Sequence, residues 1–151
     1  RPEDRSKLWH ARHEAYFAAK GLRAGASVVA TDVCVPISRL AECVAETTVD
    51  IEQSGLIAPI VGHVGDGNFH VQLLIDIENA QEVAAAEHFV GRLNERAIAM
   101  EGTCTGEHGI GQGKRKYMKL EHPSGLPIMR AIRQALDPLG ILNPGKIFPD
   151  P

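Results

Sequence analysis

The chain has 151 residues, 44% of them hydrophobic, which is enough for one domain with its own core over 1–151 and too little for two. With 16 basic and 19 acidic residues the formal charge is −3, and the basic residues are scattered, so a metabolite partner is expected and no nucleic-acid surface. Cys34, Cys43 and Cys104 are odd in number and lack CxxC spacing, which argues against a disulfide framework or a thiolate zinc site and fits a reducing compartment. No apolar run approaches the roughly 18 residues that span a bilayer, and the charged stretch 1–7 is no signal peptide. A cytoplasmic location is expected, with any membrane association made through partners. The helical pattern begins at once, as in a fragment or one half of a split enzyme.

Pro2, then Leu8, Ala11, Ala15, Ala18 and Leu22 at three- and four-residue steps, predict an amphipathic helix stopped by Gly21 or Gly25, with Arg12 on its inward side. The β-branched content over 26–35 predicts a strand closed by Pro36, and Ser38 can cap a helix running to Gly55. A second strand is predicted over 57–64 and a third over 68–77. The third places Phe69, Val71, Leu73, Ile75 and Ile77 on one face and Asn68, His70, Gln72 and Asp76 on the other, with Leu74 as the exception. Asn79 and Glu82 make a capping-box-like start for a helix to about Met100, and a fourth strand is predicted over 102–107. This order predicts an α+β fold, a ferredoxin-like split βαβ antiparallel sheet with helices on one face, plus an N-terminal helix and a helical tail. The polar face of the third strand is left without a cover, either as the wall of a site or as a solvent-facing surface.

Residues 62–70 read Gly-His-Val-Gly-Asp-Gly-Asn-Phe-His. Asp66-Gly67 is a strong two-residue hairpin turn, since both positions favour positive φ. That register sets His63 opposite His70, with Cβ atoms about 4.5–5.5 Å apart on one face, close enough to chelate one divalent ion. A third ligand is needed. Glu107 is the best candidate, because an oxygen donor beside two imidazoles leaves positions open for substrate, although an exposed Glu at a strand end reads equally well. Gly106, Gly109, Gly111 and Gly113 bracket Glu107 and His108, as a sharply turning backbone, a close approach or a flexible loop would require. An imidazole exchanges protons around neutral pH, so His108 suits general-base work on an α-hydroxyl. Lys114, Arg115 and Lys116 read as a solvated helix face in preference to an anion site.

Five stretches carry a resemblance: Leu-Trp-His-Ala-Arg-His at 8–13, Thr-Asp-Val-Cys-Val-Pro at 31–36, the hairpin at 62–70, Gly-Thr-Cys-Thr-Gly-Glu-His-Gly-Ile-Gly at 102–111, and Leu-Asp-Pro-Leu-Gly-Ile-Leu-Asn-Pro-Gly-Lys at 136–146. Together they resemble the C-terminal domain of FAD-linked oxidases, most closely the D-lactate dehydrogenase (cytochrome) and glycolate oxidase D-subunit group.

The resemblance implies that His63, His70 and Glu107 hold a divalent metal, zinc or manganese, that Arg12 meets the substrate carboxylate, and that His108 is the catalytic base. Gln72 falls at a substrate-binding position, where relatives acting on larger diacids tend to have Asn; they also have Lys where Ala30 stands. Both departures fit a small 2-hydroxy acid such as D-lactate or glycolate. Asn143 lies in a tail that returns towards the flavin in related enzymes, so it is a candidate FAD contact or simply an Asn-Pro turn. No glycine-rich nucleotide-binding segment follows an early strand, so FAD is expected on a missing domain or subunit, lying on the uncovered sheet face, with an electron acceptor protein or quinone beyond it. The uncovered face is also a reason to expect a homodimer when that domain is absent. Two other readings are a metal-dependent hydrolase using the same three ligands and a ligand-sensing ferredoxin-like module without chemistry.

Overall fold

A computed structural model describes residues 1–149. The fold is α+β, built on an antiparallel sheet whose central strand is β4, Asn68–Ile75. Its alternation sends Phe69, Val71, Leu73 and Ile75 into one core. There they meet Cys43 of α3, Ile37–Ser54, and Phe89, Leu93 and Ala97 of α4, Ala80–Ala99. Burying one such large apolar side chain contributes about 1.5–3 kcal/mol, so this face fixes which residues point the other way.

The predicted strand over 26–35 is interrupted. β1, Ser27–Ala30, and β2, Val33–Cys34, lie on the same side of β4 in one register, with Ala30 opposite Gln72 and Val33 opposite Phe69. Between them Thr31 donates its N–H to Val71 O, while its own hydroxyl accepts the Val71 N–H at 2.8 Å. Asp32 therefore leaves the ladder without breaking it. On the other side of β4 runs β3, Ile60–His63, and Thr103 makes a lone bridge to Cys34. The spatial order, Thr103 segment, β1 with β2, β4, β3, is that of the split βαβ arrangement. The expected fourth strand is reduced to this one bridge, because glycines from Gly106 onward and the pull of Asp32 turn the chain off the sheet.

Helix ends follow local chemistry. Pro36, not Ser38, occupies the N-cap of α3, and Gly55 at φ 67° closes it. Asn79 caps α4 by accepting from the N–H groups of Gln81 and Glu82. The N-terminal helix departs from expectation. It is split at Glu14 into α1, Pro2–His13, and α2, Ala15–Gly21, and α1 buries no side chain; Leu8, expected inward, is 72% exposed. The polar face of β4 is also more covered than predicted. α2 packs against β4, Leu74 is fully buried, and Asn68 and Gln72 are nearly so, whereas Ile77 lies past the strand and is exposed. The tail is helical as expected, with a 3₁₀ turn at Arg115–Tyr117, α5, Met118–Glu121, and α6, Leu126–Leu136. No helix among the described residues is long and apolar enough to cross a membrane.

Candidate functional site

The hairpin register differs from the predicted one by two residues. His63 faces Asn68 and Val61 faces His70, leaving 64–67 as a four-residue connection. Gly67 sits there at φ 74°, and an added Cβ would overlap the carbonyl oxygen of Val35, so this turn demands glycine twice over. A shift of two preserves the faces, because side chains alternate with period two. His63 and His70 thus remain on one face as diagonal neighbours, their ring centroids 5.6 Å apart and nearly perpendicular.

Glu107 completes the group. Its carboxylate lies 2.8 Å from His70 Nε2 and 3.5 Å from His63 Nε2, and one donor atom from each of the three residues lies within 4.8 Å of the others. His70 is aimed from behind: its Nδ1 is 2.8 Å from the carbonyl oxygen of Thr31. A carbonyl can only accept, so Nδ1 carries a proton, and Nε2 is the ring atom left facing Glu107. His108 stacks on His70 at 5.4 Å and 14°, and its side chain, like that of Glu107, is about half exposed at the mouth. Arg12 arrives from α1 with Nη2 2.5 Å from His63 Nε2 and 2.9 Å from its Nδ1. Among the described residues no carboxylate forms a salt bridge with it. A cavity of about 280 Å³ beside the cluster is lined by Cys34, His63, Asp66, Asn68, Gly106 and Glu107. A larger, mostly apolar groove of about 650 Å³ is bounded by Val29, Ile75, Val83, Val90 and Tyr117, and its charged lining, Glu87, Lys114 and Lys116, includes none of the three clustered ligand candidates.

Beneath the cluster lies Asp32, 1% exposed, which the sequence reading quoted within a motif but gave no role. Burial pushes its carboxyl pKa up, but the opposing effects win: N–H groups of His108 and Glu107, the Asn68 amide and the Lys114 ammonium hold it well below the usual carboxylate range. Lys114 belongs to this layer and not to a solvated helix face; its Nζ donates to Asp32 O at 2.7 Å, and burial pulls its pKa down. Arg115 is half-buried and only Lys116 is open to solvent. A signal for Asp32 was available in the sequence, since an acid inside a β-branched run is costly unless paired. Cys34 borders the cavity, yet burial and then the charges of Asp32 and Asp66 push its thiol up, away from the thiolate form a ligand needs.

Two expected site residues stand apart from the cluster. Gln72 shares the face of His70 with its Oε1 buried and unpartnered, a position suited to a donor from a ligand. Asn143 sits in an exposed turn at φ 45°, with no hydrogen bond to the cluster among the described residues; the tail is tied to the site loop by the Ile147 N–H on Gly111 O and to the turn after it by Arg115 Nη1 on Gly145 O.

Residues 1–147 match the family model for FAD linked oxidases, C-terminal domain. The chain is 49% identical over 147 residues to the probable mitochondrial D-lactate dehydrogenase of Danio rerio, a match covering 97% of this chain and 30% of that protein. It is 40% identical over 149 residues to the mitochondrial D-lactate dehydrogenase (cytochrome) of Arabidopsis thaliana, covering 98% and 26%. It is 35% identical over 147 residues to the glycolate oxidase subunit GlcD of Bacillus subtilis, covering 97% and 31%. The chain therefore spans no more than about a third of the length of these relatives. On the extent of the family match and these identities, the chain belongs to the family of the C-terminal domain of FAD-linked oxidases.

Proposed function

We propose that this chain is the substrate- and metal-binding part of an FAD-dependent dehydrogenase of small D-2-hydroxy acids, D-lactate or glycolate, whose flavin is carried by polypeptide beyond it. The observation that carries the reading is the convergence of His63, His70 and Glu107 with Arg12 and His108 at one mouth, within a chain of this family.

The donor set fits a divalent ion of the zinc or manganese class. Two imidazole nitrogens and a carboxylate oxygen lie within 4.8 Å of one another, and the Thr31 carbonyl already fixes the His70 tautomer that ligation requires. His63, His70 and Glu107 would hold the ion, which would draw electron density from the α-hydroxyl, while the flavin would accept the hydride from Cα. The remaining steps belong to this chain. Arg12, which forms no salt bridge with a carboxylate among the described residues, binds the substrate carboxylate through paired hydrogen bonds and so sets which face of Cα is presented. His108, stacked beside His70 and half exposed, takes the hydroxyl proton at an imidazole nitrogen. Gln72 offers its unpartnered Oε1 to a donor on the substrate or an ordered water. The names of two relatives, one marked cytochrome and one a subunit, support an assembly that passes electrons to an acceptor protein, with a quinone as the alternative acceptor.

The test is anaerobic mixing of the full-length flavoprotein with D-lactate or glycolate. Bleaching of the oxidised flavin band is expected, slowed about 10²- to 10⁴-fold in His108→Ala. A flavin that stays oxidised with every 2-hydroxy acid contradicts the proposal.

A further inference from the structure

Glu107 and His108 stand in a segment with little else to hold them. The sheet ladder ends at the Thr103 bridge, Gly106 precedes the pair, and Gly109 at φ 75° follows it. Glu121 Oε2 holds the Cys104 N–H at 3.0 Å and Thr103 Oγ1 the Thr105 N–H at 3.1 Å, but the N–H groups of Glu107 and His108 are held by one buried carboxylate, that of Asp32. Asp32 Oδ2 accepts the N–H of His108 at 2.9 Å, the N–H of Glu107 at 3.1 Å and the hydroxyl of Thr105 at 3.1 Å. Oδ1 accepts the amide of Asn68 at 2.8 Å, and that amide also donates to Val33 O at 2.9 Å, which locks the carboxylate to β2 and β4. Gly106 makes the approach feasible: an added Cβ would overlap Asn68 Nδ2 and stand 2.9 Å from Asp32 Oδ1.

Asp32 and its neighbour Thr31 together fill the gap between β1 and β2. The Thr31 carbonyl aims the His70 ring, and the Asp32 carboxylate holds the main chain of Glu107 and His108. We infer that Asp32 is the positioning residue of the site, the interruption of the strand at 31–32 being the device that sets the His70 ring and the Glu107–His108 pair in one frame. The inference rests on the proposed function for what the frame serves, and on hydrogen bonds alone for its existence. Two consecutive N–H groups converging on one anion fix the main chain from which the side chains of Glu107 and His108 depart. A neutral amide in place of the carboxylate would offer one acceptor oxygen and turn an NH₂ towards groups that are all donors.

The test compares the full-length protein with its Asp32→Asn and Thr105→Val variants by amide hydrogen exchange and by titration with manganese chloride alone. In Asp32→Asn, exchange at 105–108 should rise at least about tenfold and the apparent Kd for Mn²⁺ about 10- to 100-fold, while α4 exchanges as in wild type. Thr105→Val, which removes one donor, should move both readouts the same way by less, without lowering Tm. Unchanged exchange at 105–108 in Asp32→Asn overturns the inference, as does a loss of Mn²⁺ affinity without that change. If α4 exchange also rises in Asp32→Asn, Thr105→Val decides, and wild-type exchange at 105–108 in that variant overturns the inference. Faster exchange in a protein whose wild type takes up no Mn²⁺ would sink the metal reading and leave the role of Asp32 standing.

Discussion

Nε2 of His70 lies 2.8 Å from the carboxylate of Glu107, and the ring is held there by a hydrogen bond from its other nitrogen to the main chain of Thr31. Thr31 acts twice, because its hydroxyl also accepts the Val71 N–H at the point where the strand is interrupted. Thr31→Val keeps the carbonyl behind His70 but leaves the Val71 amide buried without an acceptor. Denaturant unfolding should show a loss of about 1–3 kcal/mol, with divalent-metal affinity nearly retained. Wild-type stability in this variant contradicts the assignment.

Gly67→Ala places a methyl group against the Val35 carbonyl at a φ of 74°. Strain at positive φ and the overlap act together, so a loss of at least about 1 kcal/mol is expected, seen as a fall of about 2–4 °C or more in Tm. Metal affinity should fall as well, because this connection joins the strands bearing His63 and His70. A variant melting with wild type contradicts this account of the turn.

Acid sensitivity should arise partly far from the site. The side-chain hydrogen bond from Arg23, followed by the N–H of Asp76, holds the Glu82 carboxyl down to about 2 from an ordinary 4.5. A depressed folded-state pKa means that the carboxylate stabilises the fold above about pH 4.5 and that this contribution is lost as pH falls towards 2. In Glu82→Gln the drop in denaturant midpoint between pH 5 and 2 should be shallower than in wild type. Parallel profiles would show that the pair does not report on folding.

Arg12→Lys keeps the charge but not the planar fork. In the full-length protein KM for the hydroxy acid should rise about 10- to 100-fold, the equivalent of the roughly 1.5–3 kcal/mol of a charged hydrogen bond, with a smaller change in kcat. Steady-state kinetics check this, and an unchanged KM would remove Arg12 from the carboxylate site.

How much was legible in the sequence depended on periodicity. The alternation of β4 and the apolar spacing of α3 and α4 are strong repeating signals, so the core and the shared face of His63 and His70 could be read directly. The register could not, because Asp66-Gly67 favours a two-residue turn while the close approach of Gly67 to Val35 O favours a four-residue connection, and only the tertiary contact decides. The strand over 102–107 failed for the same kind of reason: its place after the long helix suggested a ladder, but Asp32 captures the two N–H groups that would extend it. α1 was misread because three- and four-residue spacing of alanines, Leu8 and Leu22 carries little apolar area, and nothing among the described residues covers it. Asp32 and Lys114 were missed since a buried ion pair has no periodic signature.

The most direct test of the central claim is elemental analysis of the full-length protein and of its His63→Ala and Glu107→Ala variants after dialysis against a metal-free buffer. The account predicts about one divalent zinc or manganese ion per chain in wild type and near-complete loss in both variants, whose melting and flavin content should otherwise resemble wild type. A full complement of metal retained without His63 or Glu107, or a wild-type protein that turns over its substrate with none, would contradict it.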